Sequence, residues 1–252
     1  MKGLKINYKI LALGKIRLTV TDDPHINSKL DTNRAAIEEI WQDFKKKKGG
    51  KLFNGTLANF IKINKKKDSY ELISQFIEYK QFFAQISKPA LKLGITPIGV
   101  SGIIVLEDKA VEYVIFSRRA DDVTEYPGFY ELVPSGSIDK QCLRADGVID
   151  YPSKLLSEFI EETGLSKKYI KEITGFTLVL DKNHHVYDIG CRILLEAKKK
   201  EILEDFSSTE YGIPVFVPTK DLGDFIKMNN SSIVPTSMAL IEAYRQYFKQ
   251  EN

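Results

Sequence analysis

Two apolar, β-rich runs near the middle of the chain constrain its fold more than any other feature. They cover residues 98–106 and 111–117, and the polar residues Glu107–Ala110 between them are typical of a hairpin turn. Shorter runs of alternating or β-branched residues predict further strands at 15–20, 57–64, 130–133, 173–180, 186–196 and 212–217. The chain is therefore expected to fold around a sheet.

Amphipathic segments are interspersed with these strands. Their spacing predicts helices at residues 32–47, 151–163 and 235–249. Gly49-Gly50 is expected to end the first helix and Gly164 the second, because glycine readily adopts the left-handed conformation that closes a helix. Residues 69–86 suit either one helix or a strand that runs into a helix. We therefore predict an α/β (α+β) protein with a mixed sheet sandwiched between helices.

Composition excludes several classes of protein. The chain has 252 residues, of which 43% are hydrophobic and 28% charged, as in ordinary globular proteins. No apolar run approaches the roughly 18 residues of a membrane span, and residues 1–9 lack the apolar core of a secretory signal. Cys142 and Cys191 are too few for a disulfide framework or a zinc site. We expect a cytoplasmic protein without a membrane partner.

The basic residues give little support for a nucleic-acid partner. The net charge is +3, and the lysine runs at 45–48, 65–67 and 198–200 are short and scattered. A nucleic-acid surface more often shows a continuous basic stripe with interleaved aromatic residues. We therefore expect these runs to be solvated faces of helices and loops.

The predicted helix at 151–163 carries a cluster of acidic residues. At about 100° per residue, Glu158, Glu161 and Glu162 fall on one arc of the helix. The opposite arc is formed mainly by apolar residues, namely Leu156, Phe159, Ile160 and Thr163. Surface helices often carry such glutamates without a ligand. Three carboxylates on one arc also suit a hard divalent cation, because Mg²⁺ prefers carboxylate oxygens and retained waters.

A loop upstream of this helix strengthens the interpretation as a site. The stretch Tyr126–Gly136 contains a Pro-Gly turn, a short predicted strand and the tripeptide Pro134-Ser135-Gly136. Glycine at the end of the loop allows backbone to approach a ligand closely. We therefore expect this loop and the acidic helix to form one site.

These residues resemble the box of the Nudix hydrolases, G-x5-E-x7-R-E-U-x-E-E-x-G-U, where U is a bulky aliphatic residue. The matching positions are Gly136, Glu158, Phe159, Glu161, Glu162, Gly164 and Leu165. Ser157 stands where the family has arginine, and 22 positions rather than 15 separate Gly136 from Glu158. The inserted loop has no glutamate, and its acids are Asp139, Asp146 and Asp150.

The same departures resemble one branch of the family, the UDP-glucose and UDP-galactose diphosphatase-like proteins. Further similar segments are Leu52–Gly55, Tyr79–Phe82, Ile98–Val100, Ser117–Arg119 and Glu210. The resemblance therefore extends over most of the chain. It implies a Nudix-type domain at residues 94–252 and an N-terminal α/β extension at 1–93 that contributes to substrate binding.

The resemblance also implies an activity and a set of site residues. The expected reaction is Mg²⁺- or Mn²⁺-dependent hydrolysis of UDP-glucose or UDP-galactose to UMP and a sugar 1-phosphate. The carbonyl of Gly136 and the carboxylates of Glu158, Glu161 and Glu162 would hold the metal. One of these glutamates, or Glu210, would accept the proton of the attacking water. Glu210 is also consistent with a solvated acid in a loop.

Other residues have both a functional and a structural interpretation. Arg118 and Arg119 end a predicted strand and would suit a diphosphate, although an exposed strand end is equally consistent. Phe53 and Asn54 are implied substrate contacts by the resemblance, but Phe53-Asn54-Gly55 is also typical of a plain turn. His184-His185 follows a turn sequence and is expected to lie in a hairpin turn.

Two other functions stay open. The missing loop glutamate and Ser157 allow a catalytically silent Nudix-like protein that binds or senses a nucleotide metabolite. The scattered lysines give faint support to hydrolysis of RNA ends. Turnover of UDP-glucose with Mg²⁺ separates the first function from a silent protein, and steep salt dependence of RNA binding would favour the last.

Overall fold

The computed structural model describes residues 8–21, 25–48, 52–123 and 125–248, with backbone only for 25–27. The strands are β1 Tyr8–Leu13, β2 Lys15–Val20, β3 Thr56–Lys65, β4 Ser69–Glu78, β5 Ile98–Asp108, β6 Val111–Arg118, β7 Tyr130–Glu131, β8 Ser135–Ser137, β9 Ile170–Asp181, β10 Val186–Leu195 and β11 Val215–Pro218. The helices are α1 His25–Thr32, α2 Arg34–Lys47, α3 Tyr79–Ser87, α4 Tyr151–Thr163, α5 Lys199–Asp205, α6 Leu222–Asn229 and α7 Pro235–Phe248.

The larger sheet is mixed, which confirms the predicted fold class. Its strand order is β1-β9-β10-β5-β6-β11, with β7 paired to β6 and β8 paired to β5. The central strands β10 and β5 run parallel, while the other pairs in this sheet are antiparallel. Phe159 of α4 belongs to one core cluster and Leu240 of α7 to another, with residues of the sheet in both clusters. Helices therefore cover both faces of the sheet.

A smaller sheet of order β2-β4-β3 lies in the N-terminal part of the chain. Helices α2 and α3 pack beside it, with an aromatic group in which Phe44 stacks on Phe83 at 3.9 Å between ring centroids. Strand β1 does not join this sheet, because it pairs with β9 of the larger one. The division into 1–93 and 94–252 stays a prediction.

The inserted loop between β8 and α4 is hydrogen-bonded to both edges of the small sheet. Ile149 donates its backbone N–H to Leu18 of β2, and Ala58 of β3 donates to Ile138. The backbone N–H of Lys140 donates to the hydroxyl of Thr56 at 3.0 Å. The insertion therefore connects the small sheet to the start of α4.

The structure agrees with most predicted elements and differs at several. The ambiguous residues 69–86 form strand β4 followed by helix α3, the second of the two alternatives. The elements not predicted are β1, β8, α1, α5 and α6. They are short, and α5 for example buries only Ile202 among its described residues, so they carry little periodic signal. Gly49, Gly50 and residue 249 lie outside the described residues.

Helix α4 begins and ends as its sequence predicts. The carboxylate of Asp150 accepts the backbone N–H of Ser153 at 3.2 Å, which satisfies one of the free amides of the first turn. Gly164 closes the helix with a φ of +68°. The buried side chains on this helix are Tyr151, Leu155, Phe159 and Thr163. Ile160 was expected on the buried arc but is 42% exposed, because it lies at the edge of that arc.

Phe159 fixes the rotation of α4, so its truncation tests the buried face. The side chain is fully buried, as predicted, and we expect Phe159→Ala to lower the free energy of unfolding by about 3–5 kcal/mol. The neighbouring change Ile160→Ala is the matched control and is expected to cost about 1 kcal/mol or less. Chemical denaturation measures both. Equal losses for the two variants would contradict this orientation of the helix.

Candidate functional site

Two glutamates of α4 lie against the backbone of the Pro134–Gly136 loop. Oε1 of Glu162 accepts the backbone N–H of Ser135 at 3.1 Å. Glu158 lies so close to Gly136 that a Cβ built there would be 2.6 Å from Oε1 of Glu158. Any side chain at position 136 would displace this carboxylate. The glycine of the loop therefore serves the close approach of helix and loop that its sequence position predicts.

Glu162 is the most perturbed acid of this site. Burial raises its pKa from 4.5 to about 8, and the hydrogen bond from Ser135 opposes that rise. The negative charges of Glu158, Glu131 and Glu210 raise the pKa further. Glu131, Glu158 and Glu210 therefore lie near enough to Glu162 for their charges to act on it. Glu158, Glu162 and Glu210 were predicted for this site; their charges interact in the structure, and their roles stay predictions.

Glu131 is a member of this cluster that the sequence analysis missed. It lies on β7, paired with Ser117 of β6, and its carboxylate forms an ion pair with Arg119. The hydroxyl of Tyr211 donates to the same carboxylate at 3.0 Å. A signal was available, because Glu131 is an acid within an apolar stretch that directly precedes the loop.

Glu210 and Glu161 differ in how they relate to the cluster. The carbonyl of Glu210 accepts the backbone N–H of Ala120 at 2.9 Å, so its loop is held beside the end of β6. Glu161 is exposed on the solvent side of α4. Of the three glutamates predicted on one arc, two face the loop and the third faces solvent.

A lysine of the same helix neutralises part of the cluster. Nζ of Lys154 is 2.5 Å from Oε1 of Glu158, one turn away, and both side chains are largely buried. Ser157, at the position where the Nudix box has arginine, donates its hydroxyl to the Ser153 carbonyl within the helix. The ion pair with Lys154 occupies one oxygen of Glu158.

The donor set fits a hard divalent cation in its chemistry. The buried atom Oε2 of Glu162 has no hydrogen-bond partner within the described ranges, and buried carboxylate oxygens without a partner are costly. A divalent cation would satisfy that oxygen and reduce the repulsion among the four glutamates. The residues that the structure describes contain no three acid, histidine or cysteine side chains already arranged around one ion. Metal binding therefore requires acidic side chains of the cluster to move, and the ion pair with Lys154 holds Oε1 of Glu158 until they do.

The aspartates of the inserted loop have local structural roles. Asp150 caps α4, and Asp139 accepts the backbone N–H of Gln141 at 2.7 Å. Asp146 accepts the backbone N–H of Val148 at 3.2 Å. Each carboxylate stabilises a turn of the loop.

The predicted substrate contacts differ in their surroundings. Arg118 is exposed and donates to the Gly128 carbonyl at 3.0 Å, while Arg119 is half-buried between Glu131 and the Glu125 carbonyl. Asn54 donates to Glu78 and accepts from the backbone N–H of Lys80.

Phe53 and the two adjacent histidines lie in exposed or turn positions. Phe53 is 87% exposed, with its ring over Gly55. His184 and His185 lie in the turn between β9 and β10, as predicted, and His184 contacts Asp181 at 2.8 Å.

The raised pKa of Glu162 predicts how pH affects the metal-free protein. Its folded-state pKa of about 8 lies above its ordinary value of 4.5. The ionised carboxylate therefore destabilises the fold increasingly as pH rises from about 4.5 to about 8. With a chelator present, we expect Glu162→Gln to gain melting temperature over the wild type between pH 5 and 8. A difference in melting temperature that stays constant across this range would contradict the burial of the charge.

Comparisons with known proteins concern the fold. No family model matches the chain, and no curated protein matches it. Among solved structures it is similar to the NUDIX domain of Shewanella oneidensis NrtR complexed with ADP ribose, at 15% identity and a TM-score of 0.40, covering 68% of this chain and 99% of that one. It is also similar to DR0079 from Deinococcus radiodurans, at 10% identity and a TM-score of 0.44, covering 59% and 83%.

A third similar structure is the Nudix hydrolase RenU from M. Smegmatis, at 11% identity and a TM-score of 0.39, covering 60% of this chain and 86% of that one. Similarities at this level assign no activity or substrate to the chain. Within the described ranges, no helix is long and apolar enough to cross a membrane.

Proposed function

We propose that this protein is a metal-dependent hydrolase of the Nudix type that cleaves a nucleoside diphosphate linked to a second group. The observation that carries the proposal is the buried carboxylate of Glu162, surrounded by Glu131, Glu158 and Glu210. Burying the charged form of this carboxylate near three others is costly, and a cation among them would reduce that cost. The substrate phosphates would complete the coordination of that cation.

The metal site would be built from the carbonyl of Gly136 and the carboxylates of Glu158 and Glu162. Glu161 was predicted as a further ligand, but its side chain faces solvent and would have to turn toward the loop to join them. Mg²⁺, or Mn²⁺ in its place, supplies charge neutralisation at the diphosphate and a lowered pKa of bound water. Gly136 leaves room for Glu158 beside the loop, and the Ser135 amide orients Glu162.

Three further residues would position the substrate and accept the proton. Glu210 would accept the proton of the attacking water, because its loop is held beside Arg119 at the edge of the cluster. Arg118 is exposed at the end of β6 and would bind a phosphate through its guanidinium group. Arg119 would be shared between Glu131 and the second phosphate.

The substrate we propose is UDP-glucose or UDP-galactose, with UMP and a sugar 1-phosphate as products. The support is the branch resemblance, including Ser157 and the seven-residue insertion. The hydrogen bonds of the insertion to the N-terminal sheet are consistent with an N-terminal contribution to the substrate site. Phe53 lies in that region, and its ring is 87% exposed and therefore accessible to a ligand.

A second candidate function is a catalytically silent protein that binds a nucleotide metabolite. The ion pair of Lys154 with Glu158 favours it, because the lysine occupies an oxygen that a metal would need. A screen of nucleoside diphosphate substrates with Mg²⁺ and Mn²⁺ separates the two. Hydrolysis of any of them supports the enzyme, and binding without hydrolysis supports the silent protein.

Variants of the acidic residues test the assignment of roles. We expect Glu162→Gln and Glu210→Gln to lower turnover of UDP-glucose by at least about one to two orders of magnitude, since each removes a charge from the cluster. Matched controls are Asp139→Asn, Asp146→Asn and Asp150→Asn, which keep local hydrogen bonding and should retain most activity. A fully active Glu210→Gln beside an inactive variant of one aspartate would contradict the assignment.

Lys154 gives a test that does not depend on turnover. The lysine competes with a cation for Glu158, so we expect Lys154→Met to bind Mn²⁺ several-fold more tightly than the wild type. Electron paramagnetic resonance of free Mn²⁺ measures the affinity. Exposed Lys200, paired with Glu204 at the same i,i+4 spacing on α5, provides the control Lys200→Met. Weaker Mn²⁺ binding by Lys154→Met would contradict the competition.

A further inference from the structure

The hydroxyl of Ser117 is a buried polar group that none of the roles above uses. Ser117 lies near the end of β6, and its side chain is fully buried. Its Oγ has no hydrogen-bond partner in the described segments of the chain. Buried hydroxyls are rarely left unpaired, because the loss of their hydration is then uncompensated. The orphaned hydroxyl therefore points to a bound group in its neighbourhood.

The side chain of Ser117 lies on the face of the larger sheet that α4 covers. Side chains two positions apart on a strand share one face. Ile115, two positions before Ser117, belongs to the same core cluster as Phe159 of α4. Phe116, between them in sequence, belongs to the cluster that contains Leu240 of α7. The hydroxyl is therefore on the same side of the sheet as the acidic helix.

The strand register places Ser117 beside the carboxylate cluster. Ser117 is directly opposite Glu131 of β7 in an antiparallel pair. Opposite residues of such a pair share one face, with Cβ atoms about 4.5–5.5 Å apart. The carboxylate of Glu131 accepts the hydroxyl of Tyr211, and its charge acts on Glu162. Ser117 is thus a direct neighbour of one acid of the cluster.

The cluster contains a second buried atom without a partner, Oε2 of Glu162. This oxygen and the Ser117 hydroxyl do not bond to each other or to any other described residue. A hydrated cation would satisfy both atoms, because Mg²⁺ binds carboxylate oxygens and keeps several of its waters. A water in a buried site makes about three hydrogen bonds, and a serine hydroxyl can serve as donor or acceptor.

We propose that Ser117 is a positioning residue of the cation site, whose hydroxyl bonds a water that the cation retains. The inference rests on the proposed function, because the cation must bind at Glu162. Ser117 adds no charge to the cluster and acts through the water. Outer partners of this kind commonly change metal affinity by about 10- to 100-fold when they are removed.

Mn²⁺ affinity and thermal stability together test the proposal without turnover. We expect Ser117→Ala to bind Mn²⁺ at least about tenfold more weakly than the wild type, measured by electron paramagnetic resonance of free Mn²⁺. In EDTA, the melting temperature of Ser117→Ala should equal or exceed that of the wild type, because no hydrogen bond within the chain is lost. A hydroxyl with a merely structural role predicts the reverse, a lower melting temperature with unchanged Mn²⁺ affinity.

A pair of larger variants separates the hydroxyl from the space that it fills. Threonine and valine have nearly the same shape, and only threonine keeps the hydroxyl. We therefore expect Ser117→Thr to bind Mn²⁺ at least about tenfold more tightly than Ser117→Val. The control is Ser74→Ala on β4, since Ser74 is equally buried but donates to the Thr19 carbonyl at 3.0 Å. It should lower the melting temperature and leave Mn²⁺ affinity unchanged.

Equal Mn²⁺ affinity of the wild type and Ser117→Ala, or of Ser117→Thr and Ser117→Val, would overturn the proposal. Failure of the proposed function gives a different result. If the wild type binds Mn²⁺ and Ser117→Ala binds it more weakly, but no nucleoside diphosphate is hydrolysed, the hydrolase is refuted and the role of Ser117 stands. A wild type that binds no Mn²⁺ overturns both.

Discussion

The contact between two glutamates of α4 and the backbone of Ser135–Gly136 is the constraint on which the site depends. It requires glycine at position 136, because Glu158 fills the space of a side chain there. It also removes the carboxylate of Glu162 from water, which raises the pKa of that group to about 8. Phe159, on the adjoining buried arc of α4, is fully buried and keeps the helix in this orientation.

The charges around this contact are only partly balanced. Arg119 pairs with Glu131, and Lys154 pairs with Glu158, so two of the four acids have a cationic partner. Glu162 has the Ser135 amide instead, and a neutral donor offsets the burial of a charge less than a cation does. The imbalance is a cost to folding, which a divalent cation at the proposed site would reduce.

The inserted loop explains how a long departure from the Nudix box is compatible with this geometry. Its backbone bonds to β2 and β3 hold the insertion against the small sheet. Asp150 then starts α4 at a fixed place, so Glu158 and Glu162 reach the loop in spite of the extra residues. The inserted residues attach the start of α4 to the N-terminal region, and Asp139, Asp146 and Asp150 stabilise turns within the loop.

The sequence predicted local features of the site better than its long-range ones. Helix α4 was predicted at its observed bounds because Pro152 and Gly164 mark its ends locally. The burial of Phe159 and Thr163 followed from helical periodicity, whereas that of Tyr151 and Leu155 was not predicted. Glu131 and Tyr211 were missed because their pairing joins two short segments 80 residues apart. The parallel pairing of β10 with β5 is likewise encoded by no local pattern.

Asn54 shows that even a local motif does not predict the partners of its side chain. Its position in Phe53-Asn54-Gly55 was compatible with either a substrate contact or a plain turn. In the structure both ends of its side chain bond within the N-terminal region, to Glu78 and to the Lys80 backbone. A turn motif predicts backbone shape, whereas the partners of its side chain depend on strand β4 and helix α3 beyond it.

The central claim is that a divalent cation binds between α4 and the Pro134–Gly136 loop. Anomalous diffraction from crystals soaked in Mn²⁺ tests it most directly. The proposed site predicts a manganese peak at ligand distance from the Glu162 carboxylate, with Glu158 turned away from Lys154. A manganese-soaked crystal with no peak at Glu162, and with the Lys154–Glu158 ion pair intact, would contradict it.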